Sequence, residues 1–369
     1  MSQPESDAPV AANSGAGRSH QHFDLSPARV LKVAVPIVIA LVAGAWALQT
    51  YLPSSAQHEL EASQLSRLLG NVARTPADLI KFVDADGDML ADFPAEAECI
   101  APEKLVFAYV ASENPGNDAA TWAPLLEALA ELAEMPTEFT HFKSVDEQLE
   151  ALATGELHVT AFNTGSVPLA VTAGGFIPVS TFGHDGDFAY KMKLLVPAAS
   201  PLKQLSDLKG ENKYKITFVR PNSNSGFKAA LVLLLEQDIL PERDYSYGFS
   251  MGHDTSASDV ADGKTDAAPV ASDLFDRMVA GGEIDPEKVR TLYESERFPP
   301  VAIGYGHNLP PQLREAITKL LTEFDWQGTP LIDSYGASGA TGFVAVNYKD
   351  DWANIRRIDT AIEDARKHR

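Results

Sequence analysis

FVRPNSNSGFKAALVLLLEQ, residues 218–237, begins as a β-branched run. It is cut by Pro221 and five small polar or glycine positions, and continues as an uninterrupted Leu-rich segment. The pattern predicts a strand, a tight loop and a helix over 226–237. Such a loop leaves backbone N–H groups, with the hydroxyls of Ser223 and Ser225, at a helix N-terminus. Unpaired donors and the helix dipole favour an anion there. The competing reading is an ordinary Ser/Asn N-cap.

The same alternation extends on both sides. KLVFAYVAS (104–112) reads as a strand, and Trp122, Leu125, Leu126, Leu129 and Leu132 keep helical spacing over about 118–134, with Trp122 in the core. TEFTHFKS is a second strand, VDEQLEALATG a helix ending at Gly155, ELHVTAF a third strand, and NTGSVPLAVTAGG a loop into a helix. YKMKLLVPAAS opens a second unit. It holds a short helix at 201–210, the strand of the opening stretch, DYSYGFSM, a helix after Gly252 capped by Asp254 or Thr255, and TDAAPVASDLFDRMVAGG as strand, loop and helix. VRTLYESERFPPVAIGYG reads as strands returning to the first unit, and residues 310–324 as a helix opened by proline. Alternating strands and helices predict α/β units with a parallel sheet. Two such units predict two lobes about a cleft: 103–193, 194–298, and a return over 299–369. Ligands of open α/β sheets sit beyond the carboxyl ends of strands. Three loops occupy that place: 162–166 with Thr164, Gly165 and Ser166, 220–226 with Ser223, Asn224, Ser225 and Gly226, and 251–254 with His253 and Asp254.

The 369-residue chain carries a net charge of −21. That excludes nucleic acid as the partner, since phosphate backbones call for clustered Lys and Arg. It leaves room for a small anion held by N–H and hydroxyl donors. The single cysteine, Cys99, excludes an intrachain disulfide framework.

Residues 1–29 are polar and expected to be disordered. An apolar span over 30–51 follows, uncharged from Val33 to Leu48, near the minimum for a tilted membrane helix. Arg18, Arg29 and Lys32 precede it and no Lys or Arg follows before Arg67. This predicts a cytoplasmic N-terminus and an exported C-terminal part, periplasmic or extracellular. Two readings stay open, an uncleaved single-pass anchor, favoured by the long leading segment, and a cleavable signal with Ala45-Trp46-Ala47 as its site. Residues 52–102 read as a linker, with 52–80 a tether or juxtamembrane helix. Within it, Asp84, Asp86, Asp88 and Asp92 surround Gly87 in DADGDMLAD, like the first part of a calcium loop. The twelfth position is Ala95 rather than a bidentate Glu, and Pro94 argues against a following helix, so a solvated acidic turn competes with a calcium site.

The region from about 103 to 358 resembles the phosphate/phosphite/phosphonate-binding proteins of ABC importers. The resemblance is carried by DLKGENKYKITFVRPNSNSGF, GHDTSASDVADGKTDAAPVASD and ALATGELHVTAF, with FDWQGTPL and YKDDWANIRRID near the C-terminus. It implies a two-lobed α/β type II periplasmic-binding fold, to which the apolar 30–51 span adds an N-terminal transmembrane helix; the several equivalent donors of the serine loop point to binding rather than an enzyme. It implies that Ser223 and Ser225 match hydroxyls that bind phosphonate oxygens, with an amide donor, Asn224, where the family usually has Thr. His253 matches a histidine at the second helix start, and Asp273 an acidic residue facing the ligand. Asn163 and Val145 stand where the family often has tyrosines, and ESERFPPVAIG lacks an acidic residue after Pro299 that meets an amine in aminoalkylphosphonate binders. The expected ligands are phosphate, phosphite or a small alkylphosphonate. The expected mechanism is closure of 164–166 over an anion seated at 223–226 and 253–254, hinged near 193–197 and 298–303, followed by docking on an ABC permease. A membrane-tethered oxyanion sensor and a phosphoester hydrolase built on Ser223, His253 and Asp273 are the alternatives.

Overall fold

The structure, a computed structural model, describes residues 65–70, 82–111, 118–188, 190–210 and 212–367, with Pro36, Ile39, Ala40 and Ser63. Pro36, Ile39 and Ala40 are helical. The rest of the 30–51 span, and the leader before it, lie outside the described residues, among which no helix is long and apolar enough to cross a membrane. Residues 60–369 form one compact unit.

That unit is built on two sheets. β1 (Leu105–Ala108), β2 (Thr137–Thr140), β3 (Val159–Asn163), β4 (Phe176–Gly183), β10 (Val301–Gly306) and β11 (Gly342–Ala345) form the first, in the order β11-β4-β10-β3-β1-β2. β5 (Lys191–Pro197), β8 (Ala268–Ala271) and β9 (Val289–Arg297) form the second, in the order β8-β5-β9. β6 (Tyr214–Phe218) and β7 (Tyr245–Phe249) run parallel and join it through a bridge from Ile216 to Ala267. The expected parallel sheet is therefore mixed. β1, β2 and β3 are parallel, but β10 is antiparallel to both its neighbours because it is the chain's return from the second lobe. Side chains alternate across the first sheet with period two. Leu105, Phe107, Val159, Ala161, Val301 and Ile303 share one core with Trp122, while Ala108, Phe162 and Ala302 face the other.

The helices are α1 (Asp118–Ala133), α2 (Val145–Thr154), α3 (Val167–Gly174), α4 (Ala229–Glu236), α5 (His253–Ala261), α6 (Ser272–Ala280), α7 (Pro311–Glu323), α8 (Pro330–Tyr335), α9 (Tyr348–Asp351) and α10 (Ala353–Lys367). Several expectations change. The helix expected over 226–237 starts with a π-turn, Asn224–Lys228, before α4. α5 is capped by Gly252 rather than by Asp254 or Thr255. The helix expected over 201–210 shrinks to a 3₁₀ turn, Leu205–Leu208. The boundary expected at 193/194, and the hinge near 193–197, fall inside β5, which is paired along its length; the chain leaves the first sheet at Gly183, enters the second at Lys191, leaves it at Arg297 and returns at Val301. Of the segment expected as a tether or juxtamembrane helix, residues 65–70 are helical. Leu65, Leu68 and Leu69 are buried in the same core as Ile355, Ile358 and Ile362 of α10.

One charged residue links these parts. Lys228 closes the π-turn and is 4% exposed. Its Nζ donates to the Gly165 carbonyl at 2.7 Å and to Asp359 Oδ1 of α10 at 2.6 Å. The contact is tight: a Cβ on Gly165 would come within 2.9 Å of Asn224 N. Removing one partner of a buried ion pair strands the other charge, at a cost of about 3–5 kcal/mol. Lys228→Met should lose stability of that order in urea unfolding, and Lys228→Met with Asp359→Leu should recover most of it. Equal midpoints for Lys228→Met and the parent protein would show that the pair holds nothing together.

Candidate ligand-binding cleft

Three strand–helix junctions of the second lobe point to one edge. β6 leads into Arg220 and Asn224, β7 into His253, and β8 into Ala271, Asp273 and Arg277. From the first lobe, β1 brings Tyr109, Val110 and Ala111, and β3 brings Asn163 and Thr164. With Asp118, Tyr190, Pro300 and Val301 these residues enclose a cleft of about 820 Å³. Gln148, fully buried on α2, pins the first-lobe side. Its Nε2 donates to the carbonyls of Tyr109 and Ala161 at 3.1 and 2.9 Å, and its Oε1 accepts from Ala111 N at 3.2 Å.

The second-lobe loop is shaped from behind. Ser223 Oγ accepts from Gly226 N at 3.0 Å, and Val219 leaves no room for a Cβ on Gly226. His253 Nδ1 accepts from Ala271 N at 3.1 Å, so in the neutral ring the proton sits on Nε2, 3.3 Å from Ser223 Oγ. Burial of the ring, helped by the Arg220 charge, lowers the His253 pKa to about 4, so the ring is neutral at pH 7. It orders the loop as a donor and acceptor of hydrogen bonds, not as a cation.

Asn224 is 2% exposed, lines the cleft, and neither its Oδ1 nor its Nδ2 has a partner. Buried amides are ordinarily satisfied, so this group keeps unused hydrogen-bonding capacity at the cleft. Ser225 is fully buried, its Oγ set against the Tyr190 hydroxyl without a well-formed hydrogen bond. Arg220 lines the cleft and donates to the Met251 carbonyl. Asp273 Oδ1 is shielded and unpartnered; burial raises its pKa, against the lowering effect of nearby N–H groups and Arg277. Burial likewise raises Asp118, and burial with the Tyr335 hydroxyl raises Tyr109.

The sequence-derived candidates divide accordingly. Asn224, His253, Asp273 and Thr164 line the cleft. Ser223, Ser225 and Gly226 stand behind that lining as its frame. Gly165 and Ser166 are buried at the contact with the second lobe, and the Thr164 hydroxyl is committed to the carbonyls of Pro299 and Pro300 at 2.6 and 2.9 Å. Asp254 is exposed outside the lining. Val145 packs toward the core, and the aromatic wall comes instead from Tyr109, on the next strand. Sequence reasoning missed Tyr109, Asp118, Tyr190, Arg220 and Arg277. The rule that ligands sit beyond strand carboxyl ends, applied to β1, singles out Tyr109, and Arg277 lies one helical turn after Asp273. Away from the cleft, one oxygen each of Asp84, Asp86 and Asp88 lies within 4.8 Å of the others. Asp84 also accepts from Gly87 N and Met89 N, and Asp92, which is not one of the three, accepts from Ala85 N within the same loop.

Comparison with known proteins bears on this cleft. Residues 107–352 match the family described as the periplasmic substrate-binding protein of phosphonate ABC transporters. The chain is 25% identical over 232 residues to the phosphate-import protein PhnD of Mycolicibacterium smegmatis, spanning 60% of this chain and 71% of that protein. It is 24% identical over 228 residues to the phosphonates-binding periplasmic protein of Escherichia coli, spanning 61% and 67%. Among solved structures, PhnD1 of Prochlorococcus marinus in complex with methylphosphonate superposes with a TM-score of 0.59 at 16% identity, over 71% of this chain and 99% of that one. The binding-protein component of a phosphonate ABC transporter from Pseudomonas aeruginosa gives 0.59 at 13% identity, over 72% and 88%. With two lobes, a cleft at their strand ends and a family match over most of its length, this chain belongs to the periplasmic substrate-binding proteins of phosphonate ABC transporters.

Proposed function

We propose that the cleft captures a phosphonate or a closely related tetrahedral oxyanion and presents it to an ABC permease. The observation that carries this is Asn224, a buried amide with no partner, set at a helix N-terminus between Arg220 and a neutral His253. A tetrahedral anion meets there a dipole, an amide donor and a guanidinium fork. Asp273, raised by burial, suits a ligand or a carboxyl that retains one proton to share. Capture rather than hydrolysis follows from His253. Its Nδ1 is taken up by the Ala271 N–H, so Nε2 bears the proton and has no lone pair to receive one from Ser223.

On this reading the lobes close by rotation at 184–190 and 298–300, bringing Tyr109 and Asn163 onto the ligand, while the Gly165–Lys228 contact acts as a pivot. The 30–51 span holds the protein at the membrane and raises its effective concentration at the permease. The cleft is assigned no cofactor. Calcium at Asp84, Asp86 and Asp88 would serve the arm that Lys349 clips through Gly87.

Two measurements check this account. In calorimetry, Asn224→Ala should bind methylphosphonate and phosphate at least tenfold more weakly with the melting temperature held within a few degrees. Unchanged affinity would move the anion elsewhere. His253 also sets a pH dependence. An unfolded histidine titrates near 6.5 and the folded one at about 4, so below pH 6.5 the unfolded chain takes up a proton that the folded chain refuses. The contribution is complete above pH 6.5 and declines as pH falls to 4, by up to about 3 kcal/mol. Urea unfolding at pH 7, 5.5 and 4.5 should show a shallower loss in His253→Asn than in the parent protein.

A further inference from the structure

The anion pole of the cleft ends at Asp273, and the space does not. A second chamber of about 480 Å³ opens beyond it, sharing Tyr109, Tyr190, Asp273, Pro300 and Val301 with the first. Its first-lobe wall is aromatic. Tyr109 and Phe182 are stacked with nearly parallel rings, 6.2 Å between centroids, and Phe182 meets Tyr335 at 4.5 Å. The wall is braced from behind, Tyr109 by Trp122 at 5.0 Å and Phe182 by Trp326 at 5.2 Å, so it is formed before any ligand arrives.

The chamber's charges complement those of the first. Arg220 and Arg277 line the first compartment; among the described residues no Lys or Arg lines the second. Its acidic groups at the rim, Asp187 and Asp276, are tied to Arg297 and Lys193. An anionic head is thus drawn to one compartment and discouraged from the other. What enters the second is the rest of the molecule, against rings that reward apolar, planar contact. Its volume matches pockets that hold whole organic groups, of order 300 Å³ and above, and far exceeds a methyl group.

Resting on the oxyanion reading above, we propose that this chamber is a substituent subsite, and that the ligands are organophosphonates or phosphate monoesters bearing an aryl or branched apolar group rather than phosphate or methylphosphonate. The head sits on Asn224 and Arg220, the chain passes Asp273, and the substituent stacks on Tyr109, Phe182 and Tyr335.

Calorimetry on the full chain with benzylphosphonate, methylphosphonate and phosphate tests this. Benzylphosphonate should bind at least tenfold more tightly than methylphosphonate. The ratio should collapse toward one in Ser338→Phe, which fills the chamber from its rim, and in Tyr335→Leu, which removes one ring; either variant that retains the parent's melting transition suffices. Methylphosphonate binding as tightly as benzylphosphonate, or a ratio that survives in a folded variant, overturns the subsite and leaves anion capture standing. Binding of none of the three overturns anion capture itself.

Discussion

The Lys228 ammonium is the constraint on which this architecture turns. Taking an ammonium out of water costs several kcal/mol, and it is tolerated only where good hydrogen bonds replace the lost hydration. Here the replacements come from two distant parts of the chain, the Gly165 carbonyl of the first lobe and the Asp359 carboxylate of the C-terminal helix. The same residue closes the π-turn that presents Asn224. The 220–228 loop, the first-lobe junction after β3 and the last helix therefore hold one another, and the Asn224 amide is fixed by contacts made well outside the cleft.

The site assigns different work to charge and to dipole. Close to the helix start the groups are neutral: an amide, a serine that serves as a cap, and a histidine kept uncharged by burial. The formal charges are set around them: Arg220 after β6, Asp118 at the start of α1, and Asp273 with Arg277 on successive turns of α6. Neutral donors locate a tetrahedral oxygen by direction, whereas surrounding charges act over a wider range and set the protonation state of what binds. A histidine that accepts at one nitrogen and donates at the other fits the first role and is disqualified from the second.

Much of this was legible in the chain. The strand–loop–helix order of residues 218–237 and the return of the chain near residue 300 rest on local signals, and the structure carries β6, the turn and α4 in that order and brings the chain back as β10. His253 is singled out by its place after a strand and by the family resemblance, and its ring lies 3.3 Å from Ser223 Oγ. What escaped has physical causes. β4 is buried on both faces, so FIPVSTFG lacks the alternation that marks a half-exposed strand, and Pro178 breaks its ladder where the register shifts opposite Gly304. Tyr109 sits in a hydrophobic run and reads as core, although its ring walls the cleft. The Thr164 hydroxyl looked like a free donor because nothing local records Pro299 and Pro300, whose carbonyls claim it, just as nothing local records Lys228, which donates to the Gly165 carbonyl. The boundary expected at 193/194 lies inside β5 because the residues after His184 run without a break into that strand's sequence.

The recessed arginines carry a kinetic corollary. A protein with a net charge of −21 presents a repulsive far field to any anion that diffuses toward it, and Arg220 and Arg277 attract only at close range. Added salt shortens the reach of that barrier, to about 8 Å at physiological ionic strength, and leaves the short-range lure nearly intact. Loading should therefore quicken with ionic strength, the reverse of what an electropositive scavenger shows, and the molecule is better suited to a salty exterior than to a dilute one.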